Sequence, residues 1–174
     1  FLLFFMDENI CLICNKKLTQ LKELMPLLEA VLNEQSGMLV IADDIDGDAI
    51  QGLVVNRIRG SLQVCAVRSP GFGENRVSML EDLAVLSGTR VISGVAGEDL
   101  SELTLSDLGR CKKATIGKNT TLLVGCEGDL DDIAMRADSI KTQINDSLSS
   151  PEEVEILRQR LSKLSGGVAI LKVG

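Results

Sequence analysis

Asp43-Asp44-Ile45-Asp46-Gly47-Asp48-Ala49-Ile50-Gln51-Gly52-Leu53-Val54-Val55-Asn56-Arg57-Ile58-Arg59-Gly60 carries an acidic start, a basic end and a surplus of apolar surface around which the rest of the chain is built. Its aspartates suit a helix N-terminus, where free N–H groups and the helix dipole attract negative charge. Arg57, Arg59 and Gly60 are the cations and the glycine that suit the opposite end. Between them Ala49, Ile50, Leu53, Val54, Val55 and Ile58 spread over roughly 240° of the helical wheel, against ~100° for an ordinary surface helix. One face can pack on a core, and the other is either buried by a second layer or left exposed as a sticky surface.

The flanks define the surroundings of this helix. Met38 to Ala42 is an apolar run that reads as a strand buried on both faces, and Leu62 to Val67 reads as another. Strand, helix and strand in that order predict a parallel crossover of right-handed sense. Upstream, Ile10 to Cys14 is a further short strand. Leu18, Leu21, Leu24, Met25, Leu28, Val31 and Leu32 follow helical spacing. Pro26 is tolerated in a first turn, so the helix starts near Leu24 to Pro26 after a lead-in turn. With Leu27 included, its apolar arc covers close to half the wheel.

Downstream, Ser69-Pro70-Gly71-Phe72-Gly73 is a loop, Arg76 to Ser87 a helix stopped by Gly88, and Arg90 to Ser93 a brief strand. Thr104 to Gly109 is a single helical turn. Lys112 to Ile116 and Thr121 to Val124 flank Gly117-Lys118-Asn119 as a hairpin. Leu130 to Leu148 is an amphipathic helix. A second helix starts at Ser150, with Pro151 at its first position and Glu153 completing a capping box, and stops at Gly166-Gly167. Val168 to Val173 is a last strand. The expected fold is one α/β domain with a mixed sheet and flanking helices.

Length and composition set the limits. The 174 residues suit one domain with a real core, and because Trp and Tyr are absent that core is aliphatic. The net charge of −7 argues against nucleic acid or an anionic membrane as partner. No run approaches the roughly eighteen apolar residues of a membrane span. Phe1 is not an initiator Met and the chain stops at Lys172-Val173-Gly174, so the sequence reads as a piece of a longer protein.

Catalytic chemistry is thinly supplied. There is no histidine, which excludes Ser-His-Asp and Cys-His catalysis and His-metal sites. Cys11 and Cys14 form a CxxC, but Ile10, Leu12 and Ile13 around them read as a buried strand and no second half-site exists for zinc. The cysteines are read as core residues of a protein in a reducing compartment. Asp44-Ile45-Asp46-Gly47-Asp48 fails the calcium-loop pattern, because its glycine falls too early and Val55 stands where a glutamate must close the loop. Gly71-Phe72-Gly73 lacks the third glycine and the lysine of a phosphate loop.

Taken in order, the motifs resemble a family. Leu24-Met25-Pro26-Leu27-Leu28-Glu29-Ala30, Ile41-Ala42-Asp43-Asp44 with Gly47 and Ala49, and Leu53-Val54-Val55-Asn56 with Arg59-Gly60 are similar to the apical domain of group I, GroEL-type chaperonins. The likeness continues through Ala66-Val67, Pro70-Gly71-Phe72-Gly73, Met79-Leu80-Glu81-Asp82 and Asp107-Leu108-Gly109 to Leu161-Ser162-Lys163-Leu164-Ser165-Gly166-Gly167-Val168-Ala169. It covers the chain from about Lys16 onward.

The resemblance implies an apical domain over residues 1–174, with two parallel-running helices forming a groove on one face. In that family the groove captures non-native polypeptides and later the mobile loop of the co-chaperonin lid, within a seven-membered ring of subunits. Carried over residue by residue, its lining is Met25 and Leu28 on the first helix and Ile50, Val54 and Val55 on the second, with Asn56 at the edge as a hydrogen-bonding residue. Ala49, Leu53 and Ile58 are assigned to the core. The segment Phe1-Leu2-Leu3-Phe4-Phe5 is apolar but does not match the aromatic segment that precedes this region in the family.

The family's ATP and magnesium site belongs to an equatorial domain, so this chain is expected to carry no cofactor and no ATPase activity. Bacterial cytoplasm, plastid stroma and mitochondrial matrix all fit as the compartment. The competing readings are a groove used mainly for lid docking or ring assembly, and a small-ligand α/β enzyme using the loop after Ala42 near Asp44 and Asp46.

Overall fold

On a strand covered from both sides, alternate residues serve two separate cores. Ile10, Leu12 and Cys14 join Met38, Val40, Ala42 and Val64 in one buried cluster, while Cys11 and Ile13 join Leu39, Ile41, Cys65 and Val67 in the other. The computed structural model describes residues 4–18, 21–45, 51–52, 63–69, 73–92, 102–117, 120–146, 148–166 and 168–172. Within them the order of elements is β1 (Phe4–Ile13), β2 (Lys17–Leu18), α1 (Met25–Asn33), β3 (Gly37–Ala42), β4 (Asp44–Ile45), β5 (Val64–Arg68) and α2 (Gly73–Ser87). There follow β6 (Gly109–Ile116), β7 (Thr120–Cys126), α3 (Leu130–Ile144), α4 (Pro151–Gly166) and β8 (Val168–Lys172).

Six of the strands form one mixed sheet in the order β5-β3-β1-β6-β7-β8. β1, β3 and β5 run parallel, with Asn9 opposite Gly37 and Met38 opposite Val64. On its other edge β1 pairs antiparallel with β6, and β7 and β8 continue in antiparallel fashion. The sheet is thus parallel on one side of β1 and antiparallel on the other.

The two clusters make this a three-layer α/β sandwich. One face is covered by α1, whose Leu27, Leu28 and Val31 sit with Ile10, Leu12, Met38 and Val40. The other is covered by three helices: Leu80, Leu83 and Leu86 of α2, Ile140 of α3, and Leu157 and Leu164 of α4. The helix layer is also bolted electrostatically. Asp82 of α2, 7% exposed, accepts hydrogen bonds from Nε of Arg160 at 2.7 Å and Nε of Arg136 at 2.8 Å. Arg136 also donates to the Ser78 carbonyl and to Glu81.

Local signals account for the helix limits. Ser150 and Glu153 bond each other's backbone N–H at 3.2 and 3.3 Å, the expected capping box. Asp129 caps α3 by accepting from the N–H groups of Asp131 and Asp132. The helix stops at Ile144, earlier than the expected Leu148, because the Asp146 N–H bonds three residues back to the Gln143 carbonyl and the Asp146 carboxylate takes the Leu148 N–H. Gly88 ends α2 with a φ of +83°, a conformation costly for any residue with a Cβ.

Three further departures from the sequence reading have clear causes. β1 starts at Phe4, six residues before the expected strand, because it pairs along the full length of β6 through the polar Asp7. Of the expected strand over 90–93, the described residues 90–92 form only a bridge between Ile92 and Cys14, and residue 93 lies outside them. The aspartate cluster does not open a helix at its start: Asp44 lies in β4, paired with β2, and its carboxylate faces Arg68 at 3.3 Å and Lys17 at 4.0 Å. Side-chain cations, not helix N–H groups, neutralise Asp44, while Asp46 and Asp48 lie outside the described residues.

The faces of the antiparallel half switch partway along. Cys111 and Ala114 both point into the core under the helices, with Lys112 and Lys113 exposed between them, and Leu123 and Cys126 do the same on β7. The switch coincides with left-handed backbone at Glu8 (φ +50°) and Gly125 (φ +70°). Lys112 lies across Gly125, where a Cβ would sit 2.9 Å from its own Cβ.

Candidate functional site

The broad apolar arc of α1 divides along its length into a buried half and an exposed rim. Leu24, 0% exposed, precedes the helix and Pro26 lies in its first turn. Leu27, Leu28 and Val31 then turn towards the sheet. Met25 and Leu32, seven residues apart and so two turns along one stripe, remain 39% and 49% exposed. Glu29 lies between them, also exposed. Glu34, just beyond the helix, is anchored to Arg110 of β6 at 3.1 Å.

Of the two α1 residues expected to line a groove, Met25 is open and Leu28 is not. Leu28 is 4% exposed and belongs to the core beneath α1. Its position on the wheel lies between Val31 and Leu32, on the buried side of the division. Leu32 holds the exposed place instead, and the signal was its seven-residue spacing from Met25. The other expected lining residues, Ile50, Val54, Val55 and Asn56, lie outside the described residues, as do Ala49, Leu53 and Ile58. Gln51, exposed, and Gly52, half-buried, are helical.

The end of the sheet where a small-ligand site was considered is occupied by local bonds. Asp43 accepts from the Ser69 hydroxyl at 3.0 Å, and Asp44 takes the Ile45 N–H at 2.9 Å in addition to its cations. Both described carboxylates are spent on joining β3, β4 and β5. Asp46 and Asp48 lie outside the described residues.

An open cleft of about 920 Å³ lies elsewhere, between the end of α2 and the start of α3, with Thr89, Arg90, Asp107, Glu127, Asp132 and Arg136 among its lining. Its Arg136 is engaged by Asp82, and Thr89 donates its hydroxyl to the Asp107 carbonyl. Among the described residues no group of His, Cys, Asp or Glu could hold a metal ion.

The CxxC cysteines are both fully buried but serve different cores, because an i, i+3 spacing on a strand points the side chains to opposite faces. They cannot act on one ligand or on each other. Burial pushes the Cys14 thiol up to about 11, only partly offset by Lys16. Among the described residues no helix is long and apolar enough to cross a membrane. No protein-family model matches the chain.

Proposed function

We propose that this chain is the polypeptide-binding apical domain of a group I chaperonin, holding non-native chains and the co-chaperonin loop on a shallow aliphatic surface formed by α1 and the following helix. The observation that carries this reading is the rim of α1, where Met25 and Leu32 remain exposed beside the buried Leu27, Leu28 and Val31. A second support is topological. β1, β3 and β5 are parallel and adjacent in that order, and right-handed crossovers in one direction run over one face. In the sequence, Ile50, Val54, Val55 and Asn56 fall between β3 and β5, as α1 falls between β1 and β3.

An exposed aliphatic stripe takes any amphipathic segment with little regard to sequence, and methionine adapts its shape to different guests. One buried leucine-sized contact contributes about 1.5–3 kcal/mol, so a single domain binds weakly and a ring of them gains by avidity. ATP and magnesium act in the parent's equatorial domain, and this chain performs no catalysis itself.

The test is binding of labelled amphipathic peptides, read by fluorescence anisotropy, to the wild type and to Met25→Ser/Leu32→Ser. The reading expects several unrelated peptides to bind and the double variant to lose them while keeping its circular dichroism. Binding of a co-chaperonin loop peptide alone would reassign the surface to lid docking, and undiminished binding by the double variant would remove α1 from the site. Leu28→Ser is unsuitable as a probe because that side chain is in the core.

A further inference from the structure

Cys111 and Cys126 stand directly opposite each other on the antiparallel strands β6 and β7. Both point into the core beneath the helices, and their sulfurs are 2.8 Å apart. Both are free thiols. Directly opposed residues of an antiparallel pair have Cβ atoms about 4.5–5.5 Å apart, close to the 3.5–4.5 Å span that a disulfide requires. Closing the bond therefore calls for a small approach of two neighbouring strands and no rearrangement of the fold. The two thiols also differ in access: Cys111 is 2% exposed, whereas Cys126, at the end of β7, is partly open. Cys11 belongs to the same core and its side chain also touches Cys111, but it is fully buried, and β1 places its backbone opposite Gly109.

We propose that Cys111 and Cys126 are a built dithiol site that peroxide converts to an intramolecular cross-strand disulfide in the folded protein. In the first step the Cys126 sulfur attacks one oxygen of hydrogen peroxide. The O–O bond breaks, one water leaves, and a sulfenic acid remains on Cys126. In the second step the Cys111 sulfur attacks the Cys126 sulfur, the S–O bond breaks, and a second water carries away the oxygen and both remaining protons. The two sulfurs together lose two electrons, which the peroxide accepts. The buried partner thereby stops oxidation at the reversible stage, and a small dithiol reverses it. Both thiols are held above the usual range, Cys111 by its contact with Cys11 and Cys126 by its contact with Cys111, so the pair is a slow responder to sustained peroxide rather than a rapid sensor.

The experiment treats the folded chain with hydrogen peroxide, unfolds it in excess N-ethylmaleimide and counts adducts by intact mass. Five adducts are expected before treatment and three after it, with dithiothreitol restoring the count of five. Tryptic mapping should find Cys111 joined to Cys126. Cys126→Ser should slow thiol loss roughly tenfold or more, because the accessible sulfur is gone. Cys111→Ser should leave a sulfenic acid on Cys126 that dimedone traps. Circular dichroism checks that each variant is folded, and the wild-type count alone suffices if one is not. An unchanged count of five adducts, loss of a single thiol, or a linkage that uses Cys11 would each overturn the proposal.

Discussion

Replacing Asp82 by alanine isolates the most consequential polar contact of the helix layer. The carboxylate is 7% exposed, and Arg160, also 7% exposed, gives it both Nε and a terminal nitrogen, at 2.7 and 3.1 Å. Its removal leaves the Arg160 guanidinium buried without a counter-charge, a change that costs about 3–5 kcal/mol. Arg136 suffers less: its side chain is 24% exposed and retains Glu81 at 3.1 Å. For a chain of this size such a loss corresponds to a fall in Tm of roughly 6–20 °C. Arg160→Met should cost less, about 1–3 kcal/mol, because Asp82 keeps Arg136 and the methylene stem is replaced by apolar volume. With no Trp or Tyr in the chain, the assay is urea unfolding followed by circular dichroism at 222 nm. If Asp82→Ala lies within 1 kcal/mol of wild type, or Arg160→Met is the more damaging of the two, the argument that an orphaned buried cation dominates is refuted.

Three other outcomes are expected. Leu28→Ala should cost about 2–5 kcal/mol and Leu32→Ala less than about 1 kcal/mol in the same urea assay; equal losses would refute the division of α1 into a buried and an exposed half. Gly128→Ala places a Cβ 2.2 Å from the Val85 carbonyl and 2.5 Å from that of Leu86, where the Gly128 N–H also bonds, so backbone must move. A loss of about 1–3 kcal/mol is expected, and a neutral substitution would show that the β7–α3 junction yields. Stability should fall with alkali: the folded state keeps the Cys14 proton up to about pH 11, whereas a free thiol releases it near 9.0. The contribution is complete below the lower value and is lost as pH rises through the upper one, about 2–3 kcal/mol in all. Cys111 and Cys126, raised in the same direction, add to the fall, so Cys14→Ala should remove only its own share of the slope, and an unchanged slope would show that Cys14 contributes none of it.

The sequence displayed features that depend on neighbours along the chain. Ser150-Pro151-Glu152-Glu153 announced a helix start because every group in that cap lies within three residues. The runs Ile10 to Cys14 and Met38 to Ala42 announced buried strands, the second covered on both faces, because every position is apolar, and the structure buries all of them. What could not be read depends on distant partners. Asp7 and Glu8 look like a loop until β6 is placed beside them, more than a hundred positions away. Asp82 and Arg160 are 78 residues apart and unremarkable by themselves. For the candidate site, the wheel gives the width of the α1 arc, Leu32 included, but not where the sheet divides it, so the resemblance puts Leu28 on the surface where the structure has Leu32.

The position of β1 at the seam of the sheet has a consequence for how the chain acquires its structure. Its parallel partner β3 becomes available soon after β1, but Gly109, the partner of Cys11 on its other edge, comes roughly a hundred residues later. As the chain grows from its N-terminus, one edge of β1 stays unpaired while most of the domain is made, and only the arrival of β6 covers it. An open strand edge is the feature most prone to wrong pairing. The interval before β6 is therefore when this chain is itself most exposed to misassembly, and amides facing β6 should be the last of β1 to gain protection in pulse-labelled hydrogen exchange during refolding.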